Sequence, residues 1–117
     1  MKETAFKNKV EKALDDHHAW YIKYWAGSKF TKEGIPDILA CVNGKFYGIE
    51  LKGDGGRPKL LQLVTLRKIR EADGIGILLY PNDADQFIAL MEGSEIGKRW
   101  YKNNISDQKK WFDKLSF

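Results

Sequence analysis

Three charged side chains stand out by their spacing. Asp37 is followed, after the twelve residues 38–49, by Glu50, and Lys52 lies two positions further on. Between the acids sits Asn43-Gly44, the dipeptide favoured in two-residue type I′ hairpin loops. If that loop joins two antiparallel strands, Val42 pairs with Lys45, and counting outward sets Asp37 opposite Glu50. Opposed residues project to one face roughly 5 Å apart, and Lys52, two residues beyond Glu50, projects to the same face. Two facing carboxylates repel, so a sequence tuned for stability alone avoids them unless a cation offsets the cost. A bound divalent metal resolves the conflict. Oxygen ligands favour Mg²⁺ or Mn²⁺ over zinc and leave positions for water and phosphate oxygens. The chemistry such a site suits is phosphodiester hydrolysis, the metal stabilising transition-state charge and lowering the pKa of a bound water. Lys52 would either orient that water or neutralise charge.

The competing reading makes Glu50 and Lys52 a solvent-facing pair and Asp37 a turn residue after Pro36. Both runs, however, are apolar on both faces: Leu39, Cys41 and Phe46 share the Asp37 face, and Ile38, Ala40, Val42, Tyr47, Ile49 and Leu51 form the other. A hairpin of that kind is expected inside a sheet, where charges at its end are hard to dismiss as solvated surface.

The flanking sequence supplies elements to hold this hairpin. From Glu3 to about Asp16, Phe6, Val10, Ala13 and Leu14 recur at three- and four-residue spacing, which predicts an amphipathic helix. Ala19 to Trp25, rich in aromatic and β-branched residues, reads as a strand, and Ser28 to Gly34 as a loop. After Gly53–Pro58, the residues Leu60, Leu61, Leu63, Val64, Leu66 and Ile69 predict a second helix that stops at Asp73-Gly74. Ile75 to Tyr80 is a short apolar run of the kind found in interior parallel strands. A short helix around Phe87 and Leu90 follows, then an irregular stretch from Gly93 to Asn104 and a final helix over Asp107–Phe117. The order α-β-β-β-α-β-α predicts an α/β protein, a mixed β-sheet flanked by helices.

Composition bounds the function classes. A chain of 117 residues with 43% hydrophobic and 31% charged residues suits one globular domain and is too apolar for disorder. No stretch approaches the roughly 20 apolar residues that span a bilayer, and Met1-Lys2-Glu3-Thr4 opens no apolar run, so neither a membrane nor an export signal is expected. The lone Cys41 excludes an internal disulfide and a Cys-rich zinc site, and a reducing cytoplasm, of a bacterial or phage-infected cell, fits best. A net charge of +4 and a pI near 9.1 are compatible with a polyanionic partner.

Gly34-Ile35-Pro36-Asp37, twelve residues, then Glu50-Leu51-Lys52 resembles the PD-(D/E)XK nuclease signature in its Glu-X-Lys form. With Ile38-Leu39, Gly53 and the downstream Gln62, the chain looks most like the VRR-NUC branch, particularly its compact stand-alone phage and bacterial members, over about Glu3 to Met91. That resemblance implies a restriction-endonuclease-like core over residues 1–92, with 93–117 as a C-terminal extension packed on the same domain. It also implies a Mg²⁺- or Mn²⁺-dependent DNA endonuclease, homodimeric, acting on branched DNA such as four-way (Holliday) junctions. Asp37 and Glu50 then match the metal-binding acids, Lys52 the catalytic lysine, and the Leu51 backbone carbonyl a further ligand. Gln62, on the helix stripe with Leu66 and Ile69, matches the family's glutamine and would orient water or phosphate; otherwise it is a first-turn polar residue. Such nucleases often carry another acid on the first helix. Glu3 is the better candidate because it shares the stripe of Phe6, Val10 and Leu14, whereas Glu11 lies roughly 80° away. The alternative is a catalytically silent nucleic-acid-binding or scaffolding module that retains the nuclease fold.

Lys23, Ser28, Lys29 and Lys32 could form a phosphate-contacting rim or be merely soluble loop charge. Arg57 and Lys59 flank a helix start that already favours anions, and are candidates for backbone contact. The basic and aromatic tail, including Lys110 and Trp111, is expected to pack against the core with some DNA contact. His17-His18 lacks metal-motif spacing, and Cys41 is expected in the core.

Overall fold

The computed structural model describes residues 3–24 and 33–116. Helix α1 (Glu3–Asp16) leads into strand β1 (Trp20–Lys23), and β2 (Ile38–Val42) and β3 (Lys45–Leu51) form the central hairpin. Helix α2 (Leu60–Glu71), strand β4 (Ile75–Leu79), a 3₁₀ turn (Pro81–Asp83), α3 (Ala84–Met91) and α4 (Glu95–Leu115) complete the chain. The sheet runs β1-β2-β3-β4, antiparallel except for the β3–β4 pair, which α2 joins in parallel.

Asn43 and Gly44 both take positive φ, 52° and 78°, the backbone signature of the expected turn. The turn fixes the register: Val42 pairs with Lys45, and the ladder runs out to Ile38 opposite Ile49. On one face of the sheet Ile38, Ala40, Ile49, Leu51, Ile77 and Leu79 meet Phe6, Val10 and Leu14 of α1 and Phe87 and Met91 of α3. Phe87 also meets Tyr47 edge-on, ring centres 6.4 Å apart.

On the other face α2 descends onto two glycines that are register partners, Gly48 and Gly76. A Cβ at residue 76 would lie 2.5 Å from the Leu66 carbonyl oxygen, and one at residue 48 would collide with Ile69. Only bare backbone lets the helix sit this close. The cover is partial. Trp20, Ile22 and Phe46 remain 71%, 41% and 45% exposed on this face, and Cys41 is exposed rather than in the core. Period-two alternation identifies two apolar faces but not how far a helix extends over each.

The C-terminal segment differs from expectation. A single helix replaces the irregular stretch and short terminal helix, starting at Ser94, whose Oγ accepts from the Gly97 N–H at 3.1 Å. Its buried residues include Asn104 and Gln108, so a hydrophobic pattern could not mark the inward face. Those amides serve β4, an edge strand rather than an interior one. Asn104 Oδ1 accepts from Leu78 N–H at 3.1 Å while its Nδ2 donates to the Leu78 carbonyl at 2.7 Å. Gln108 Nε2 donates to the Gly76 carbonyl, and Tyr101 Oη accepts from Gly76 N–H. A row of helix side chains thus replaces a fifth strand, protecting the edge and satisfying buried backbone groups.

Candidate active site

Asp37 sits one residue before β2, in a lead-in that the sequence shapes tightly. Gly34 takes φ +83° with the Leu61 side chain packed against it, and Pro36 is buried near Gly48. Tyr24 N–H donates to the Asp37 carbonyl at 2.6 Å, continuing the β1–β2 pairing past Lys23. The Asp37 carboxylate reaches across to β3, where Oδ2 accepts from Leu51 N–H at 2.8 Å. Its neighbour there is Glu50, 3% exposed, so two acids stand together at the end of the hairpin.

Lys52 Nζ lies 3.8 Å from Glu50 Oε2, itself largely buried. Gln62, on the first turn of α2, is held by two bonds of opposite polarity. Its Oε1 accepts from Lys59 N–H at 2.9 Å, which turns its amide nitrogen toward Glu50 Oε2 at 3.1 Å. The backbone N–H can only donate, so the amide orientation is fixed by chemistry. The Leu51 carbonyl also faces this group: Lys52 N–H donates to Leu79 on β4, and the trans peptide turns the preceding carbonyl the opposite way, toward Asp37.

Electrostatically the site is short of positive charge. Burial first, and then the Asp37 carboxylate, push the Glu50 carboxyl up to about 8, while the Lys52 ammonium pulls it the other way. Glu50 Oε1 is buried with no hydrogen-bond partner, a costly state for a carboxylate oxygen. The donor set of two carboxylates and one carbonyl is all oxygen, and one of the carboxylate oxygens is buried without a partner. That chemistry fits a hard divalent cation such as Mg²⁺ or Mn²⁺.

The other expected residues fall elsewhere. Glu3 is 74% exposed at the α1 start and pairs with Lys7 at 3.2 Å. Among the described residues no third acid or histidine joins Asp37 and Glu50, so Glu3 is not brought to the pair. Lys23 pairs with Glu11 at 3.1 Å and remains partly exposed. Arg57 lines a cleft between its loop and α4, and Lys59 is exposed at the α2 start. Ser28, Lys29 and Lys32 lie outside the described residues.

A mixed four-stranded sheet, with helices on both faces and an Asp/Glu-X-Lys hairpin at its centre, defines an α/β core of the restriction-endonuclease kind. Among solved structures the chain is similar to one described as a VRR_NUC domain, with TM-score 0.59 and 18% sequence identity, covering 74% of this chain and 92% of that one. The chain therefore has a nuclease-type fold. No protein-family model matches the chain, and no curated protein matches it in sequence. Among the described residues no helix is long and apolar enough to cross a membrane.

Proposed function

We propose that this protein is a divalent-metal-dependent DNA endonuclease of the VRR-NUC type, acting as a homodimer on branched DNA such as four-way junctions. The observation that carries the reading is the buried, unpartnered Glu50 Oε1 on the acid that neighbours Asp37. Asp37, Glu50 and that carbonyl would hold Mg²⁺ or Mn²⁺, which supplies Lewis-acid stabilisation of the scissile phosphate and a more acidic water. Asp37 is anchored for this by the Leu51 N–H, and Gln62 holds Glu50 through one oxygen, leaving the other without a protein partner. Lys52, fixed beside Glu50, places an ammonium where it offsets phosphate charge and orients the attacking water. Arg57 and Lys59 at the α2 start are suited to the DNA backbone.

Dimerisation is supported by the exposed apolar face built from Trp20, Ile22 and Phe46. A patch of this kind marks an interaction surface on a soluble domain, and cutting both strands of a branch requires two sites. The test is incubation with four-way junction, flap and linear duplex DNA in Mg²⁺, Mn²⁺ or EDTA. Metal-dependent cutting of the junction is expected, lost in Asp37→Ala and Lys52→Ala with DNA binding retained. Binding without cutting under every metal condition would replace this reading with that of a silent binding module.

A further inference from the structure

Beside the carboxylate pair, between the Gly55–Arg57 loop and α4, runs a cleft of about 470 Å³, within the range of small-molecule sites. It begins one strand from Glu50. Leu78, on its floor, is the β4 register partner of Glu50, so the two side chains leave the same face of the sheet. The loop wall is pinned by Tyr80 Oη, which donates to the Gly56 carbonyl at 2.7 Å. Asn104, also in the lining, has its amide committed to Leu78 and Gln108, so recognition falls to the remaining groups.

Those groups form an ordered set. Trp111 supplies an aromatic surface, and Lys114, also in the lining, holds its ammonium 5.1 Å from the ring centre. Asp107 supplies an exposed acceptor, Asp83 near it is hydrogen-bonded by the Trp100 side chain, and Arg57 and Lys110 lie in the same lining. On a protein that binds DNA, carboxylates repel phosphate. An aromatic ring flanked by acceptors and cations therefore matches a base whose N–H edge meets the acids while its phosphate meets the cations. We propose that this cleft holds an unpaired DNA base presenting adjacent N–H donors, guanine foremost, next to the bond being cut. The proposal rests on the nuclease reading for the path of the DNA strand. It narrows the substrate to DNA that offers an unpaired base near the cut.

The experiment separates the two. Binding is measured by fluorescence anisotropy in EDTA on duplexes carrying a bulged guanine, a bulged thymine or no bulge, and cutting of the same duplexes is measured in Mg²⁺ and Mn²⁺. The wild type should bind the bulged-guanine duplex about tenfold more tightly than the paired one, with bulged thymine between. Asp107→Ala, at an exposed position, should reduce guanine to the level of thymine, and Trp111→Ala should remove the bulge preference. Trp111→Phe should keep it by retaining a ring, a rescue that loss of folding would not allow. Lys52→Ala should keep the preference and lose cutting. Equal binding of bulged and paired duplexes by the wild type, or a preference unchanged in both Asp107→Ala and Trp111→Ala, would overturn the base site while metal-dependent cutting stood. A preference that follows these variants without any cutting would support the base site and overturn the nuclease reading.

Discussion

Replacing Glu50 by glutamine should make the metal-free protein resistant to a loss of stability that the wild type suffers as pH rises. Burial, and then the Asp37 charge, move the Glu50 carboxyl from its ordinary 4.5 up to about 8. The folded protein therefore keeps this proton after the unfolded chain has released it. Stability from this group is complete below the unfolded value, falls across the window between 4.5 and about 8, and levels off above it. At about 1.4 kcal/mol per pH unit the ceiling on this loss is about 5 kcal/mol. Relaxation and water entry reduce such costs, so about 2–3 kcal/mol is expected, or roughly 10 °C in Tm for a domain of this size. Glutamine keeps the shape and an acceptor for Gln62 but carries no charge. Thermal melts followed by circular dichroism in EDTA, from about pH 5 to about pH 9, should show Glu50→Gln overtaking the wild type by that margin. Saturating Mg²⁺ should then raise the wild-type Tm and leave the variant nearly unmoved. Parallel Tm–pH curves for the two proteins would show that the Glu50 carboxyl titrates alike in the folded and unfolded chain.

Asn104→Leu removes both side-chain partners of Leu78 on the β4 edge and should cost about 2–4 kcal/mol in urea unfolding. A cost below about 0.5 kcal/mol would show that the edge is satisfied another way. Gly76→Ala places a methyl 2.5 Å from the Leu66 carbonyl and should destabilise by about 2–3 kcal/mol, whereas Gly53→Ala, where a Cβ meets nothing within 4 Å, should stay near neutral in the same assay. Trp20→Glu with Phe46→Glu charges the exposed sheet face and should convert a dimer to a folded monomer in analytical ultracentrifugation. An unchanged sedimentation profile would place the interface elsewhere.

The hairpin was legible because its turn chemistry is local: Asn43-Gly44 sets the loop, the loop sets the register, and the register places Asp37 beside Glu50. Gln62 was legible for a similar reason, being a polar residue at a helix start on an otherwise apolar stripe. Glu3 shows the limit of such reasoning. A helical stripe gives the direction of a side chain but not its height along the axis, and the first turn of α1 leaves this carboxylate in solvent with Lys7. Helix α4 was hidden because its inward contacts are amides and a tyrosine hydroxyl that serve a strand edge. The strong burial of β4 pointed to an interior position for the same reason, since a helix rather than a strand covers its far side. The exposure of Cys41 and Phe46 depends on how far α2 reaches, which is decided by Gly48 and Gly76 together.

The proposed function depends on a divalent cation held by Asp37 and Glu50 together. Calorimetric titration of Mn²⁺ into the wild type and into Asp37→Asn tests it without requiring a DNA substrate. Saturable binding to the wild type, lost in the variant, is expected, while both proteins melt cooperatively in EDTA. Equal Mn²⁺ binding by the two proteins, or none by a folded wild type, would contradict it.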